Sequence, residues 1–148
     1  MYSDIILIMK CPFCEIVTNH SEKILVENKN VFVTLSNPRL MPGHLLVIPK
    51  KHVEKISELT KDERDNFFDM TIKMQEKVLK EIAPGCDICE HYRPFIPDNA
   101  YKVSHLHMHI RPRFLDDELY LKVQKHESVI FQKVNDDEFD KYKKLLNS

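Results

Sequence analysis

The sequence H-L-H-M-H, from His105 to His109, places three histidines two residues apart with Leu106 and Met108 between them. Side chains alternate between the two faces of a β-strand, so this spacing predicts a strand with one apolar face and one face lined by imidazoles. Burying three imidazoles without hydrogen-bond partners is costly, so packing alone does not explain the histidine face. Near neutral pH, histidine serves as a nucleophile, a base or a metal ligand. The stretch therefore predicts a functional surface on a strand.

Strand geometry limits how these histidines can share a metal ion. Neighbours on one strand face lie about 6.6 Å apart, and the outer two lie about 13 Å apart. A zinc ion with Zn–N bonds of about 2.1 Å can bind a pair at this spacing but cannot reach all three. At least one of the three histidines is therefore available for a role other than binding that ion.

Four cysteines form two C-x-x-C pairs, Cys11 with Cys14 and Cys86 with Cys89. In a reducing compartment such pairs indicate metal binding or redox chemistry before structural disulfides. No βαβ pattern surrounds the first pair, so zinc binding is favoured there over a thioredoxin-like role. Residues three apart on a strand point to opposite faces, so the second pair is expected to be two ordinary buried thiols. A Cys₄ site joining both pairs, or a site that recruits His91, is the alternative.

The composition is that of an ordinary globular protein. The 148 residues are 43% hydrophobic and 30% charged with a net charge of −1, which argues against a broad nucleic-acid or acidic-membrane surface. The apolar run from Ile5 to Met9 is too short for a signal peptide or a membrane span. We therefore expect a cytoplasmic protein with no nucleic-acid or membrane partner. Its expected organisation is an extension at 1–8, one domain at 9–113 and a tail at 114–148 packed on that domain.

The hydrophobic pattern along the chain predicts an α+β fold. Thr60 and Glu63 form a capping box that begins a long amphipathic helix, which Pro84-Gly85 ends. Further elements are expected as strands at Val31–Leu35, 44–49, 86–92 and 129–134, the histidine strand ending at Arg113, and a short C-terminal helix at Asp136–Leu146 begun by Asn135. Strands grouped around one helix favour an antiparallel sheet of about five strands with the long helix packed on it.

A second histidine-containing strand completes the pattern. It reads P-G-H-L-L-V-I-P-K-K-H from Pro42 to His52, with His44 at the start of the strand and His52 just beyond its end. Together with C-P-F-C at Cys11 and H-L-H-M-H-I-R-P-R ending at Arg113, this sequence resembles the histidine triad (HIT) family. The resemblance implies a small antiparallel sheet with a long helix packed on it, a homodimer, and cleavage of nucleoside phosphate derivatives at the α-phosphate.

The resemblance also implies catalytic roles for three histidines. The middle histidine of the triad, His107, would attack phosphorus and form a nucleotidyl-histidine that water or another acceptor resolves. His109 would contact the phosphate or the bridging oxygen and help to protonate the leaving group. His44 would close the phosphate site from the neighbouring strand. The activity that the resemblance implies is that of a nucleotide hydrolase or nucleotidyl transferase. Hydrolysis of phosphoramidates or dinucleoside polyphosphates is the favoured reaction.

A structural zinc ion is the cofactor that the resemblance implies. In zinc-containing bacterial members the metal is bound by the N-terminal C-x-x-C, the histidine after the V-I-P-K strand and the first triad histidine. These positions are Cys11, Cys14, His52 and His105 in this sequence. Two cysteines and two histidines make a closed tetrahedral site, and His107 is then left free for chemistry.

The sequence departs from the family pattern around the substrate pocket. Ser36, with Asn37 beside it, stands where nucleotide-binding members usually carry an Asp or Asn for the ribose hydroxyls. Lys102 lies on the phosphate side in place of a glycine-bearing stretch, and can meet a phosphate as a point charge. The last triad position, usually apolar, is Arg111. The candidate substrate-binding residues are Ser36, Asn37, Lys102 and Arg113.

Two other functions compete with an enzyme. One is a zinc-stabilised nucleotide-binding module that kept the fold without turnover, which the altered pocket residues favour. The presence of His44, His107 and His109 together argues against it, because a binding module needs no free histidine nucleophile. The other is a zinc ribbon for nucleic acid or protein partners, which would need a basic stripe with interleaved aromatic residues that this sequence lacks.

Overall fold

The structure is a computed structural model that describes residues 11–123 and 130–148. The chain divides into two compact units, one up to Asp117 and one from Glu118 onward. The expected extension at 1–8 lies outside the described residues. Among the helices of the described residues, none is both long enough and apolar enough to cross a membrane.

The first unit holds the whole sheet. Its helices and strands are α1 (Pro12–Asn19), β1 (Val26–Glu27), β2 (Val31–Leu35), β3 (Leu45–Pro49), α2 (Lys61–Glu81), β4 (Gly85–Glu90) and β5 (Met108–Arg113), with 3₁₀ turns at Ser21–Lys23 and Ile56–Glu58. The five strands form one antiparallel sheet in the order β1-β2-β3-β5-β4. The predicted α+β fold is therefore confirmed.

Helices cover both faces of the sheet. On one face, Phe67 and Val78 of α2 join Val47 and Ile110 in a core of fully buried side chains. On the other face, Phe13 of α1 belongs to a second core cluster whose sheet residues are Phe32, Leu46 and Ile48. Both sides of β3 are thus buried, which is why its sequence is a continuous apolar run rather than an alternating one.

The histidine stretch is only partly a strand. Leu46 of β3 lies opposite His109 and Val47 lies opposite Met108, where β5 begins. The prediction of a strand from His105 is therefore wrong for its first three residues. Continuing this register would place Leu106 opposite Pro49, which has no N–H to donate to the ladder.

Side-chain alternation nevertheless continues through this irregular segment. Leu106 is held by a 2.6 Å hydrogen bond from its N–H to the Val53 carbonyl. Its side chain shares the α2 core with Met108 and Ile110. The odd-numbered histidines are consequently kept off the α2 core, as the sequence pattern predicts.

The long helix begins as predicted. The Thr60 side chain accepts a hydrogen bond from the Glu63 N–H, and the Glu63 carboxylate accepts one from the Thr60 N–H. These two bonds satisfy amide groups that the first turn leaves unpaired. The predicted capping box is therefore confirmed. The helix ends at Glu81, shortly before Pro84.

The described residues of the second unit form two short helices, α3 (Glu118–Lys122) and α4 (Asp136–Leu146). Asn135 caps α4 by accepting a 2.9 Å hydrogen bond from the Glu138 N–H, so the predicted C-terminal helix is confirmed. The predicted strand at 129–134 is wrong for residues 130–134, which form no strand and are exposed. A strand needs a neighbour to pair with, and these residues have none among those described. Val129 lies outside the described residues.

Candidate active site and metal centre

Four metal-binding side chains converge where α1 meets the histidine stretch. The donor atoms of Cys11, Cys14, His52 and His105 all lie within 4.8 Å of one another. The Cys11 Sγ is 3.3 Å from His105 Nδ1, and the Cys14 Sγ is 3.3 Å from His52 Nδ1 and 3.7 Å from His105 Nδ1. The structure thus brings all four predicted ligands together.

The geometry of this group fits a tetrahedral zinc ion. Zn–S bonds of about 2.3 Å and Zn–N bonds of about 2.1 Å place neighbouring donors about 3.4–3.8 Å apart, close to the distances found. The Nε2–H of His105 donates a 2.8 Å hydrogen bond to the Pro49 carbonyl. This bond leaves the lone pair of His105 on Nδ1, the atom that faces the sulfurs.

The protonation states in this group suit a metal ion that displaces a thiol proton when it binds. Burial and the neighbouring Cys11 raise the pKa of Cys14 to about 12, and burial lowers the pKa of His105 to about 4. His105 is therefore a neutral ligand at neutral pH. A bound metal cation would displace the thiol proton and hold both sulfurs as thiolates.

The second cysteine pair is separate from this group. Cys86 packs at the edge of the α2 core, while Cys89 lies opposite His109 in the β4–β5 pairing. No second group of three or more potential ligands occurs in the part of the chain that the structure describes. A Cys₄ site joining both pairs, or a site with His91, is therefore not formed.

His44 and His109 are linked by a hydrogen bond that fixes their tautomers. The Leu40 N–H donates to Nδ1 of His44 at 3.2 Å, so the proton of neutral His44 is on Nε2. His44 Nε2 lies 2.9 Å from His109 Nδ1 and donates to it. His109 consequently carries its own proton on Nε2, which is free to donate to a substrate.

His107 has the opposite arrangement. Its Nδ1 lies 2.6 Å from the carbonyl oxygen of His105 and must donate to it, so the lone pair of neutral His107 is on Nε2. The ring contacts Phe13 edge-on at 5.1 Å between centroids and His109 at 4.8 Å. Burial lowers the pKa of His107, so Nε2 is unprotonated at neutral pH and can act as a nucleophile.

Burial and neighbouring positive charge keep the other two histidines neutral. The pKa of His109 is lowered to about 2 by burial, by His107 and by Arg111. The pKa of His44 is lowered to about 4 by burial and by Arg111. Both side chains are therefore uncharged hydrogen-bonding groups in the free protein.

A cavity of about 750 Å³ opens beside these histidines. Its wall includes His107 and His109, Phe13 of α1, and the loop that carries Ser36 and Asn37. The volume falls in the range of small-molecule sites. Two of the four predicted substrate-binding residues, Ser36 and Asn37, thus line the cavity next to the triad.

The other two predicted substrate-binding residues are placed elsewhere. Lys102 Nζ is bound to Asp98 Oδ1 at 3.0 Å and to Ser104 Oγ at 2.7 Å, outside the residues that line the cavity. Arg113 is 5% exposed and its guanidinium binds the carboxylates of Asp87 and Asp117. These ion pairs raise the pKa of Arg113. They indicate a structural role at the end of β5.

Several cavity residues were not predicted as site residues. The ring of His91 lies 5.1 Å from that of His109 between centroids, and Lys23, Arg39 and Arg111 add positive charge to the lining. The pairing of β4 with β5 brings His91 beside the triad, a signal that strand pairing could have supplied. Lys23 and Arg39 belong to no sequence motif. Their side chains reach the cavity because of how the chain is folded between the strands, which local sequence does not predict.

The sequence comparisons identify related proteins. A model of the HIT domain matches residues 17–116. An uncharacterised HIT-like protein of Methanocaldococcus jannaschii is 36% identical over 110 residues, covering 72% of this chain and 81% of that protein. The asymmetrical bis(5'-nucleosyl)-tetraphosphatase of Schizosaccharomyces pombe is 33% identical over 96 residues, covering 60% of this chain and 50% of that protein.

Solved structures share the same fold. A HIT family protein of Bacillus subtilis superposes with a TM-score of 0.73 at 23% identity, covering 93% of this chain and 95% of that one. A zinc-bound histidine triad family protein of Mycobacterium smegmatis superposes with a TM-score of 0.63 at 24% identity, covering 88% and 87%. At these identities the likeness concerns the fold alone.

Proposed function

Because the chain belongs to the histidine triad (HIT) family, we propose that it cleaves nucleoside phosphate derivatives at the α-phosphate through a covalent nucleotidyl group on His107. One observation carries this proposal. His107 is held by a hydrogen bond at Nδ1 and presents an unprotonated Nε2 in a cavity that it shares with the N–H donor of His109. A nucleophile beside a hydrogen-bond donor is the arrangement that displacement at phosphorus requires.

The first step transfers the nucleotide to the protein. The lone pair on His107 Nε2 attacks the α-phosphorus and forms a P–N bond. The bond from phosphorus to the leaving group breaks, and its electron pair stays on the leaving atom. The Nε2–H of His109 donates a hydrogen bond to that atom and stabilises its developing charge. His44 supports the step by keeping the proton of His109 on the outward nitrogen.

The second step regenerates the histidine. Water attacks the phosphorus, the P–N bond breaks, and its electron pair returns to His107 Nε2. The hydroxyl group remains on phosphorus, and the other proton of the water goes to the departed group or to the solvent. If another acceptor replaces water, the same two steps transfer the nucleotide instead of hydrolysing it.

The cavity supports a nucleotide substrate. Ser36 and Asn37 line the cavity and would contact the sugar, and Lys23, Arg39 and Arg111 give the lining the positive charge that phosphates need. The S. pombe relative is a bis(5'-nucleosyl)-tetraphosphatase. We therefore favour a dinucleoside polyphosphate or a phosphoramidate as the substrate class.

A structural zinc ion completes the proposal. Cys11, Cys14, His52 and His105 would hold it as a closed four-coordinate site with no position left for substrate. Bound there, the ion would cross-link α1 to the histidine stretch. The zinc-bound relative from M. smegmatis supports the choice of metal.

We also propose a cytoplasmic homodimer. Two features support the dimer: β4 has no strand partner on its outer side among the described residues, and exposed apolar side chains lie along α2. These side chains include Phe68 at 41% exposure and Ile72 at 55%. Light scattering of the purified protein should give twice the 17.6 kDa chain mass; a monomer at all concentrations would refute the dimer.

The test is steady-state turnover of a substrate panel by the native protein and by His107→Ala. The panel holds adenosine and guanosine phosphoramidates, diadenosine polyphosphates and nucleotide sugars. We expect at least one substrate to be turned over by the native protein, with a fall of about a thousandfold or more in the variant. Intact-mass measurement after rapid quenching should show one nucleotidyl group on the native chain and none on the variant.

Two controls make the outcome decisive. His107→Ala should keep the same zinc content and melting temperature as the native protein, because His107 is not one of the four ligands. If folded, zinc-loaded native protein binds nucleotides but turns over no panel member, the proposal fails in favour of a binding module without turnover.

A further inference from the structure

Arg111 places a positive charge on the histidine face of β5. It stands two residues beyond His109, and its side chain lines the same cavity as His107 and His109. The charge is close enough to lower the pKa values of His44, His91 and His109. Arg111 is therefore part of the site and not of the outer surface.

No described residue supplies a counter-charge to the guanidinium group of Arg111. Its Nε is buried and makes no hydrogen bond, and no carboxylate pairs with it among the described residues. Asp87 lies opposite Arg111 in the β4–β5 pairing, but its carboxylate is bound by Arg113. A half-buried charge without a partner is costly, and a bound anion would supply the missing partner.

The order of side chains along β5 locates that anion. Residues two apart on one strand face, such as His109 and Arg111 of β5, lie about 6.6 Å apart. The His107 ring, just before the strand, lies 4.8 Å from that of His109 between centroids, so the three side chains form a row. With the α-phosphorus against His107 and the leaving atom against His109, the leaving group extends toward Arg111. The rest of the cavity lining favours anions too, since it includes Lys23 and Arg39 but only one carboxylate, that of Glu15.

We propose that Arg111 binds the leaving group when this group is itself a phosphate, so that the protein selects nucleoside polyphosphates over phosphoramidates. This inference rests on the proposed function and narrows its substrate class. In the transfer step the bridging P–O bond breaks, and its electron pair stays on the departing phosphate. The guanidinium group of Arg111 offers that phosphate two parallel N–H donors.

Proton supply agrees with this choice. An amine leaving group must take up a proton as the P–N bond breaks, whereas a phosphate can depart as an anion. His109, the nearest donor, is held neutral because burial and the nearby charge of Arg111 lower its pKa. A neutral imidazole donates a hydrogen bond readily but gives up its only proton with difficulty.

The experiment measures kcat/KM for diadenosine tetraphosphate and for adenosine phosphoramidate in the native protein and in Arg111→Gln. Loss of one charge-assisted contact is expected to lower kcat/KM for the polyphosphate by about ten- to a hundredfold. The value for the phosphoramidate should change by less than about threefold. Arg93→Gln is the matched control, because it removes an exposed arginine that does not line the cavity and should leave both values unchanged.

Three outcomes would overturn the inference. Equal losses for both substrates would mean that Arg111 acts on the α-phosphate or on the histidines. No loss for the polyphosphate would mean that Arg111 does not contact the leaving group. A native protein that turns over only phosphoramidates would exclude the proposed selectivity, although the proposed function itself would stand.

A binding measurement separates this inference from failure of the proposed function. Calorimetry with inorganic tripolyphosphate needs no turnover, and we expect the Kd to rise about tenfold or more in Arg111→Gln but not in Arg93→Gln. If the native protein turns over nothing but this difference is found, the phosphate contact stands while the proposed reaction fails. If the native protein does not bind tripolyphosphate, the inference fails.

Discussion

His44 Nε2 and His109 Nδ1, 2.9 Å apart, show how one hydrogen bond can set the chemistry of a neighbouring residue. Without this donor, neutral His109 could place its proton on either nitrogen. Only the tautomer with Nε2–H can stabilise a leaving atom in the cavity. In the proposed mechanism, His44 is thus a positioning residue that acts through His109.

Replacing His44 tests this role at the residue scale. His44→Leu removes the donor and should lower kcat by about ten- to a hundredfold, whereas His44→Gln keeps an N–H donor and should retain more activity. A nucleoside monophosphate ester of p-nitrophenol needs little help at the leaving atom, so it should lose less rate than a polyphosphate. Equal losses with both substrates, or equal effects of Leu and Gln, would contradict the role.

Acid should destabilise the protein through the same pair. The folded pKa values of His44 and His109, about 4 and about 2, lie below the ordinary value of 6.5. Between pH 6.5 and 4 the unfolded chain therefore binds protons that the folded chain does not, and the free energy of unfolding falls as the pH falls. The expected slope is about 1.4 kcal/mol per pH unit for each histidine.

Urea unfolding at several pH values between 7 and 5 checks this prediction. His109→Asn keeps an oxygen that can accept from His44 but removes one titrating group, so its slope should be shallower than that of the native protein. The groups around His109 are His44, His91, His107 and Arg111. Both proteins should be zinc-loaded, so that acid release of the metal is common to both. An unchanged slope would contradict the prediction.

At the element scale, the start of α2 makes a quantitative prediction. Thr60→Ala removes the oxygen that accepts from the Glu63 N–H and should lower the free energy of unfolding by about 1 kcal/mol. Thr60→Ser keeps the oxygen and is the matched control. Urea unfolding measures both variants, and equal destabilisation of the two would show that the cap is not responsible.

The strands show which elements local sequence determines. The apolar run of β3 and the capping box of α2 are dictated by neighbours in the sequence, and both were predicted with nearly correct bounds. The sequence does not predict where β5 starts, because that position depends on Pro49 in the adjacent strand. The prediction of a strand at 129–134 is wrong at residues 130–134 for a similar reason. Alternating apolar side chains do not provide a neighbouring strand to pair with.

At the scale of the whole molecule, the candidate metal site joins distant parts of the sequence. Cys14 and His105 are 91 residues apart, yet their donor atoms lie 3.7 Å apart. Cys14→Ser should lose most of the bound zinc, measured by elemental analysis, and melt at a lower temperature. With free zinc a thousandfold above its Kd, the lost stabilisation is about 4 kcal/mol. Cys86→Ser, outside the group, is the control, and equal zinc loss in it would contradict this assignment.

The candidate site was predictable only in part. The triad, His44 and the four metal ligands follow from motifs whose spacing carries the information. Sequence position alone predicts Lys102 and Arg113 as substrate-binding residues, but Lys102 forms an ion pair with Asp98, and Arg113 forms ion pairs with Asp87 and Asp117. Which lysine or arginine faces the cavity depends on ion pairs between residues distant in the sequence. The spacing of residues within a motif does not predict such pairs.

Phe13 stands between the two N-terminal metal-binding cysteines, and its ring touches both His105 and His107, at 5.7 and 5.1 Å between centroids. One short turn therefore supplies two candidate metal donors and part of the wall behind the proposed nucleophile. Oxidants that react with the sulfurs of Cys11 and Cys14 should abolish turnover without modifying a histidine. In a peroxide titration, zinc release and loss of turnover should follow the same curve, and reductant with zinc should restore both; loss of turnover with the metal still bound would contradict this. A cell under oxidative stress would then switch this chemistry off and recover it without new synthesis.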